Sequence, residues 1–148
     1  VTQLTVRPIG PADEAQWRAL WTGYLAFYDT VLPEAMFRVQ FDRLVADTPR
    51  GIRGLVAETG GRLVGLVHYL FHAHGWRVED VVYLQDLYVA PETRGAGAGR
   101  ALVSAVYDAA DTAGCPQVYW LTQTHNTTAR RLYDRIGVAT PFMKYSRA

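Results

Sequence analysis

The segment Arg94-Gly95-Ala96-Gly97-Ala98-Gly99-Arg100 joins a strand-forming run, Val81 to Val89, to an amphipathic helix predicted over 97–113. No other feature restricts the chain as much. Three glycines at alternate positions let the backbone curl tightly and turn its N–H groups to one side. The helix that follows adds unpaired amides and the positive end of its dipole. Strand, glycine turn and helix in that order belong to a layered α/β fold. With an arginine on either side, the turn is a cradle for a phosphate or pyrophosphate. A tight turn with close helix packing would use a single glycine as well. Three in alternation favour the anion.

The remaining elements follow from apolar spacing and turn residues. Leu4 to Pro8 alternates as a short strand. Pro11-Ala12-Asp13-Glu14 opens a helix whose apolar face carries Trp17, Leu20, Trp21, Tyr24, Leu25 and Tyr28. A second helix after Pro33 carries Phe37, Phe41, Leu44 and Val45. Ile52 to Glu58 and Arg62 to Phe71 form a hairpin turned by Gly60-Gly61. The 97–113 helix shows Leu102, Val106, Ala109 and Ala113 on one face and stops at Gly114 and Pro116. Gln117 to Leu121 is a strand, Asn126 caps a helix that ends at Gly137, and Phe142 to Tyr145 is a last strand. The order β-α-α-β-β-β-α-β-α-β predicts a mixed sheet with helices on its faces.

At 148 residues the chain fits one domain, 1–148, with a core of its own. A net charge of +1 gives no bulk attraction to nucleic acid or a membrane surface, so a basic site must be local. The single cysteine, Cys115, excludes an internal disulfide and points to a cytoplasmic setting. The apolar stretch Leu63 to Phe71 is too short to span a membrane.

Three glycine-rich loops compete for the cradle. A Walker loop needs Gly-Lys-Ser/Thr, but Gly99 is followed by Arg100-Ala101. A dinucleotide fingerprint needs a third glycine three residues after the second, where this chain has Arg100 or Leu102. Val89-Ala90-Pro91 followed by Arg94-x-x-Gly97-x-Gly99 instead resembles the acetyl-CoA-binding loop of the GNAT superfamily of N-acetyltransferases. Asn126-x-x-Ala129-x-x-Leu132-Tyr133-x-x-x-Gly137 resembles a second signature of that superfamily at the expected distance. The likeness is close over roughly residues 81–145. Within the superfamily, Tyr119-Trp120-Leu121-Thr122 and Phe142-Met143-Lys144-Tyr145 resemble the branch of small fungal histone and polyamine acetyltransferases.

That resemblance implies a GNAT-like, mostly antiparallel mixed sheet with helices on both faces, and acetyl-CoA as cosubstrate without a metal. Pyrophosphate would rest on Arg94, Gly95, Ala96, Gly97, Ala98, Gly99 and Arg100. Pantetheine would pair with Leu87, Tyr88 and Val89 as an added strand, with Asn126 and Ala129 beside it. The acceptor would be a primary amine: a small amine, an amino acid or a lysine side chain. The resemblance also implies a possible homodimer.

An amine attacks a thioester only through its free lone pair. A lysine-like amine is neutral in fewer than roughly one molecule per thousand at pH 7. The site must therefore accept a proton, stabilise an oxyanion and serve the leaving thiolate. Tyr133 matches the tyrosine that acts as general acid in many GNAT enzymes, while its place on an apolar stripe also suits plain packing. In Tyr83-Leu84-Gln85-Asp86-Leu87-Tyr88-Val89, Gln85 stands where related enzymes carry glutamate, and it cannot take a proton at neutral pH. Strand alternation places Gln85 and Asp86 on opposite faces. Asp86 binds the amine, relays its proton through water, or is a hydrogen-bonded strand acid. Tyr24, Tyr28, Asp29 and Trp76 are candidates for the acceptor pocket.

His68, His72 and His74 lack carboxylate or cysteine neighbours at ligand spacing and read as core or solvated histidines rather than a metal site. His125 is a loop histidine beside the cofactor segment. The contrasting function is a catalytically silent acyl-CoA-binding sensor or interaction module, which Gln85 keeps open.

Overall fold

The molecule, a computed structural model, is described over residues 3–148; residues 1 and 2 of the expected domain lie outside the described residues. The sheet runs in chain order through β1 (Leu4–Pro8), β2 (Arg53–Thr59), β3 (Arg62–His72), β4 (Val81–Val89) and β5 (Val118–Tyr119). The first four strands are antiparallel neighbours, and β5 joins β4 in parallel. Four α-helices accompany them: α1 (Glu14–Phe27), α2 (Glu34–Ala46), α3 (Ala98–Thr112) and α4 (Thr127–Ile136).

The near-continuous apolar run of β3 has the composition of a strand covered on both faces. One face packs Trp17, Leu20, Trp21 and Leu25 of α1 and Phe41 and Leu44 of α2 over Val56 and Leu66. The other packs Leu102, Val103, Val106 and Ala110 of α3 over Val67, Tyr69, Val82 and Leu84. Helices therefore flank both faces of a mixed, mostly antiparallel sheet, as expected. In α3 the buried face turns through Val103 and Ala110, and Ala113 is exposed at the C-cap rather than part of the stripe.

Three departures concern strands. Only Val118 and Tyr119 of the expected 117–121 strand pair with β4. The strand expected at Phe142 to Tyr145 does not form, and residues 138–148 carry no regular element. The propensity is present, but a lone strand has no ladder to join, and Phe142, Met143 and Tyr145 stay exposed at 75% or more.

The third departure is a bulge in β4. His68 faces Asp86 and Tyr69 faces Leu84, so Gln85 has no partner on β3. One extra residue resets the alternation. Val82, Leu84, Leu87 and Val89 all pack on the α3 side, while Asp86 and Tyr88 turn towards α1. The expected split of Gln85 and Asp86 onto opposite faces is overridden, and both line one cavity.

Candidate active site

The site is built along β4. On the side towards β5 the parallel pairing covers only Val82 with Val118 and Tyr83 with Tyr119. Beyond Tyr83 the two strands part, and Leu87, Tyr88 and Val89 pair only with Val67, Leu66 and Gly65 of β3. Their other edge is free among the described residues, a place where an extended chain with amide groups could pair.

Next along the chain, the glycine turn leads into α3. Gly95 and Gly97 have φ of 88° and 87°, a region that residues with a side chain avoid. A Cβ at either position would meet nothing within 4 Å, so the space above both is open. Gly99 has a different role: a Cβ there would stand 3.3 Å from Leu132 and 3.7 Å from Val89, so it permits close packing of α3 on α4 and β4. Helix α3 begins without a side-chain cap. The first helix amide to find a backbone acceptor is that of Ala101, on the Gly97 carbonyl at 3.0 Å. The amides from Gly95 to Arg100 are left for a ligand. These features fit a pyrophosphate. Arg100 is exposed beside the turn, whereas Arg94 folds back, its Nε donating to the Val89 carbonyl at 3.1 Å and its guanidinium lying over Tyr88.

Across the gap between β4 and β5, Asn126 caps α4 by accepting the Ala129 amide at 3.3 Å, which confirms its structural role. The same helix presents Tyr133, whose ring meets Trp120 edge-on at 5.5 Å. Burial pushes the Tyr133 phenol up to about 12, with Tyr28 adding to the effect. At neutral pH it is protonated and can donate a hydrogen bond.

On the α1 side, a cavity of about 710 Å³ is lined by apolar Trp21, Leu25, Leu32, Met36, Ile52 and Leu70. Tyr24, Gln85, Asp86, Arg43 and Arg50 supply its polar wall. Asp86 is the only acidic lining group and is buried. Its Oδ2 lies 2.8 Å from Nδ1 of His68, whose Nε2 accepts the indole N–H of Trp17 at 3.0 Å. Burial first and the Asp86 charge second hold the phenols of Tyr24, Tyr28 and Tyr83 above their ordinary values. The rings of Tyr24 and Tyr28 meet at a tilt of 59°, 5.2 Å apart.

Three expected acceptor residues are not brought into this wall. Tyr28 lies beside Tyr24 but does not line the cavity. Asp29 closes α1 with φ of 51° and faces solvent. Trp76 sits in the loop after β3, 85% exposed, with its ring against His74. His74 accepts the Trp76 amide there and shares no strand face with His72, which bonds to the Tyr119 hydroxyl. His125 is exposed. Among the described residues no three His, Cys, Asp or Glu side chains are grouped to hold a metal ion.

Sequence reasoning passed over His68 and Trp17, which it read as core. A signal was present: a single polar side chain inside the apolar run Leu63 to Phe71 requires a buried partner.

Comparison with known proteins gives a consistent result. A family profile described as Acetyltransferase (GNAT) family matches residues 17–138. The chain is 39% identical over 147 residues to D-amino-acid N-acetyltransferase HPA3 of Saccharomyces cerevisiae, covering 98% of this chain and 91% of the relative. It is 31% identical to aminoglycoside N(6')-acetyltransferase type 1 of Stenotrophomonas maltophilia, over 90% and 84% of the two chains. The crystallographic fold of aminoglycoside acetyltransferase AAC(6')-Iy, solved with a CoA bisubstrate analogue, superposes with a TM-score of 0.85 at 17% identity, covering 99% of this chain and 98% of that one.

Proposed function

From the premise that this chain belongs to the acetyltransferase (GNAT) family, we propose that it moves acetyl from acetyl-CoA to the primary amine of an amino acid by direct attack. The acetyl transfer to an amine is carried by one observation above all. A free β4 edge and an open amide cradle lie on one side of the strand, and a cavity with a buried carboxylate lies on the other. Donor and acceptor meet where β4 and β5 part, and holding both there supplies much of the acceleration.

Asp86 attracts the amine and takes its proton, directly or through water. The amine nitrogen then forms a bond to the acetyl carbon as the carbon–sulfur bond breaks. Tyr133, protonated at neutral pH, donates a hydrogen bond or its proton to the departing thiolate. Gln85 orients the amine from the bulge. Leu87 to Val89, the Arg94–Arg100 turn, Asn126 and Ala129 hold the cosubstrate, and Tyr24 and Tyr28 line the approach.

The amino acid is favoured by the signs of charge on the cavity wall. Asp86 offers an anion for the ammonium, and Arg43 offers a cation for a carboxylate, with Arg50, paired to Asp80 at 3.0 Å, beside it. Apolar side chains lie among them. The similarity to a D-amino-acid N-acetyltransferase supports the same choice. CoA thiol release with D-leucine, L-leucine and isoamylamine tests it. Leucine of one or both hands is expected to be turned over faster than isoamylamine, which lacks the carboxylate. Equal or faster turnover of isoamylamine removes the amino-acid reading. No turnover of any of the three removes the proposed amine transfer and leaves an acyl-CoA-binding module.

The reading extends to the whole chain as one domain, 1–148, in the cytoplasm, with a single sheet carrying both apolar clusters. No helix among the described residues is long and apolar enough to cross a membrane. It includes a homodimer in which residues 138–148 add to the sheet of a second copy, supported by their exposed Phe142, Met143 and Tyr145 and by the short β5. Light scattering is expected to give a dimer for the full chain and a monomer when residues 138–148 are deleted. A monomeric full chain ends the dimer reading.

A further inference from the structure

The carboxylate that faces the acceptor cavity is fixed from behind by two residues that never reach the cavity. His68 is fully buried, and Trp17 is fully buried beyond it. An indole N–H can only donate, so the His68 Nε2 that faces it at 3.0 Å must present a lone pair. The imidazole proton is therefore on Nδ1, where it is donated to Asp86 Oδ2 at 2.8 Å. A proton on Nε2 as well would set two donors against each other with no water between them. His68 thus ties down one carboxylate oxygen without adding a positive charge that would cancel it.

The clamp itself is rigid. The His68 ring packs against the stacked pair Trp17 and Trp21, at centroid distances of 6.1 and 6.0 Å. Trp17 is packed in turn against Trp21 at 5.1 Å and Phe41 at 5.3 Å. An aspartate needs such a clamp to hold an orientation, because its terminal torsion is broad and roughly two-fold. The β4 bulge supplies the other half by turning Asp86 towards α1, opposite His68 in the ladder.

We propose that His68, locked by Trp17 in the Nδ1–H tautomer, is a positioning residue that leaves the second oxygen of Asp86 aimed at the acceptor amine. The proposal rests on the acetyl-transfer reading above and adds residues outside the cavity to the determinants of amine recognition. In function, Trp17 sets the tautomer, His68 sets the carboxylate, and the carboxylate sets the amine.

The test uses the full chain in three forms: wild type, His68→Leu and His68→Asn. The asparagine amide can place a donor where Nδ1–H stands. With D-leucine, L-leucine and isoamylamine as amines, His68→Leu is expected to lower kcat/KM for the amine about tenfold. Calorimetric affinity for acetyl-CoA is expected to stay within about twofold, and His68→Asn to regain most of the loss. In wild type at pH 7, the imidazole ¹⁵N spectrum of His68 is expected to show the Nδ1–H tautomer, whether or not any amine is turned over. An Nε2–H or doubly protonated ring overturns the proposal. So does an equal loss in the leucine and asparagine variants, or a loss of acetyl-CoA affinity in step with amine turnover, either of which marks a merely structural role. If wild type binds acetyl-CoA but neither binds nor turns over any of the three amines, the transfer reading fails, and this proposal fails with it even when the tautomer is as expected.

Discussion

At the α3 end of β4 the protein offers backbone, and at the bulged centre of the same strand it offers side chains. The turn from Gly95 to Arg100 presents amides and open space, and its only side-chain contribution is charge at the rim. The cavity wall draws on α1, α2, β3 and β4, with a buried carboxylate held by His68, 18 positions away in sequence, which is held in turn by Trp17. The contrast has a chemical basis. A pyrophosphate is the same in every reaction of a given cosubstrate, and main-chain N–H groups recognise it without regard to neighbouring side chains. An acceptor must be distinguished from other amines, which requires shape and charge that the backbone alone does not have.

The contrast is broken most directly at Asp86. Asp86→Asn is expected to lower kcat/KM for the amine by about 100-fold or more, while acetyl-CoA affinity by calorimetry changes little. A matching loss of acetyl-CoA binding would show that the two halves are not separable. Tyr133→Phe comes next, with an expected fall in kcat of about 100-fold and a smaller change in either KM. An unchanged kcat would assign Tyr133 to packing.

The same substitution has a stability signature at high pH. Unfolded phenols ionise near pH 10, whereas Tyr133 keeps its proton up to about 12 in the folded chain. The stability this provides is full below about pH 10. It is lost as pH rises from there towards 12, at a limiting slope of about 1.4 kcal/mol per pH unit. Denaturant melts at pH 9, 10 and 11 should therefore show a steeper decline for wild type than for Tyr133→Phe, and parallel declines would contradict it.

Gly97→Val should act on the donor side alone. The positive φ is strained by about 1–2 kcal/mol for a residue with a side chain, and acetyl-CoA KM should rise about tenfold with the amine KM nearly unchanged. Trp76→Ala gives the smallest effect. Its ring is exposed and away from the cavity wall, so kcat/KM should stay within about twofold, and a larger fall would bring the loop after β3 into the acceptor site.

The glycine turn and helix α4 were legible residue by residue. Gly95, Gly97, Gly99, Asn126 and Tyr133 lie in two short segments whose geometry is local, and the turn, the cap and the helix stripe appear where spacing puts them. The acceptor half was legible only in part. Tyr24 and Asp86 are in the cavity wall, but Tyr28, Asp29 and Trp76 are outside it. His68 looked like an ordinary core residue because its partners come from α1 and from the neighbouring strand. The C-terminal strand was read from propensity, and propensity does not supply a neighbouring edge.

Sequence alone determined the conformation of the Arg94–Arg100 turn and the Asn126 cap of α4, because backbone conformation at glycines and helix caps depends on adjacent residues. Tertiary structure alone decided what lines the cavity beside β4. A single unpaired residue, Gln85, turns Asp86 onto the α1 face, and the packing of α1 brings the Trp17 indole to His68. Register and burial are properties of packed elements, so nothing in the local order of residues contains them.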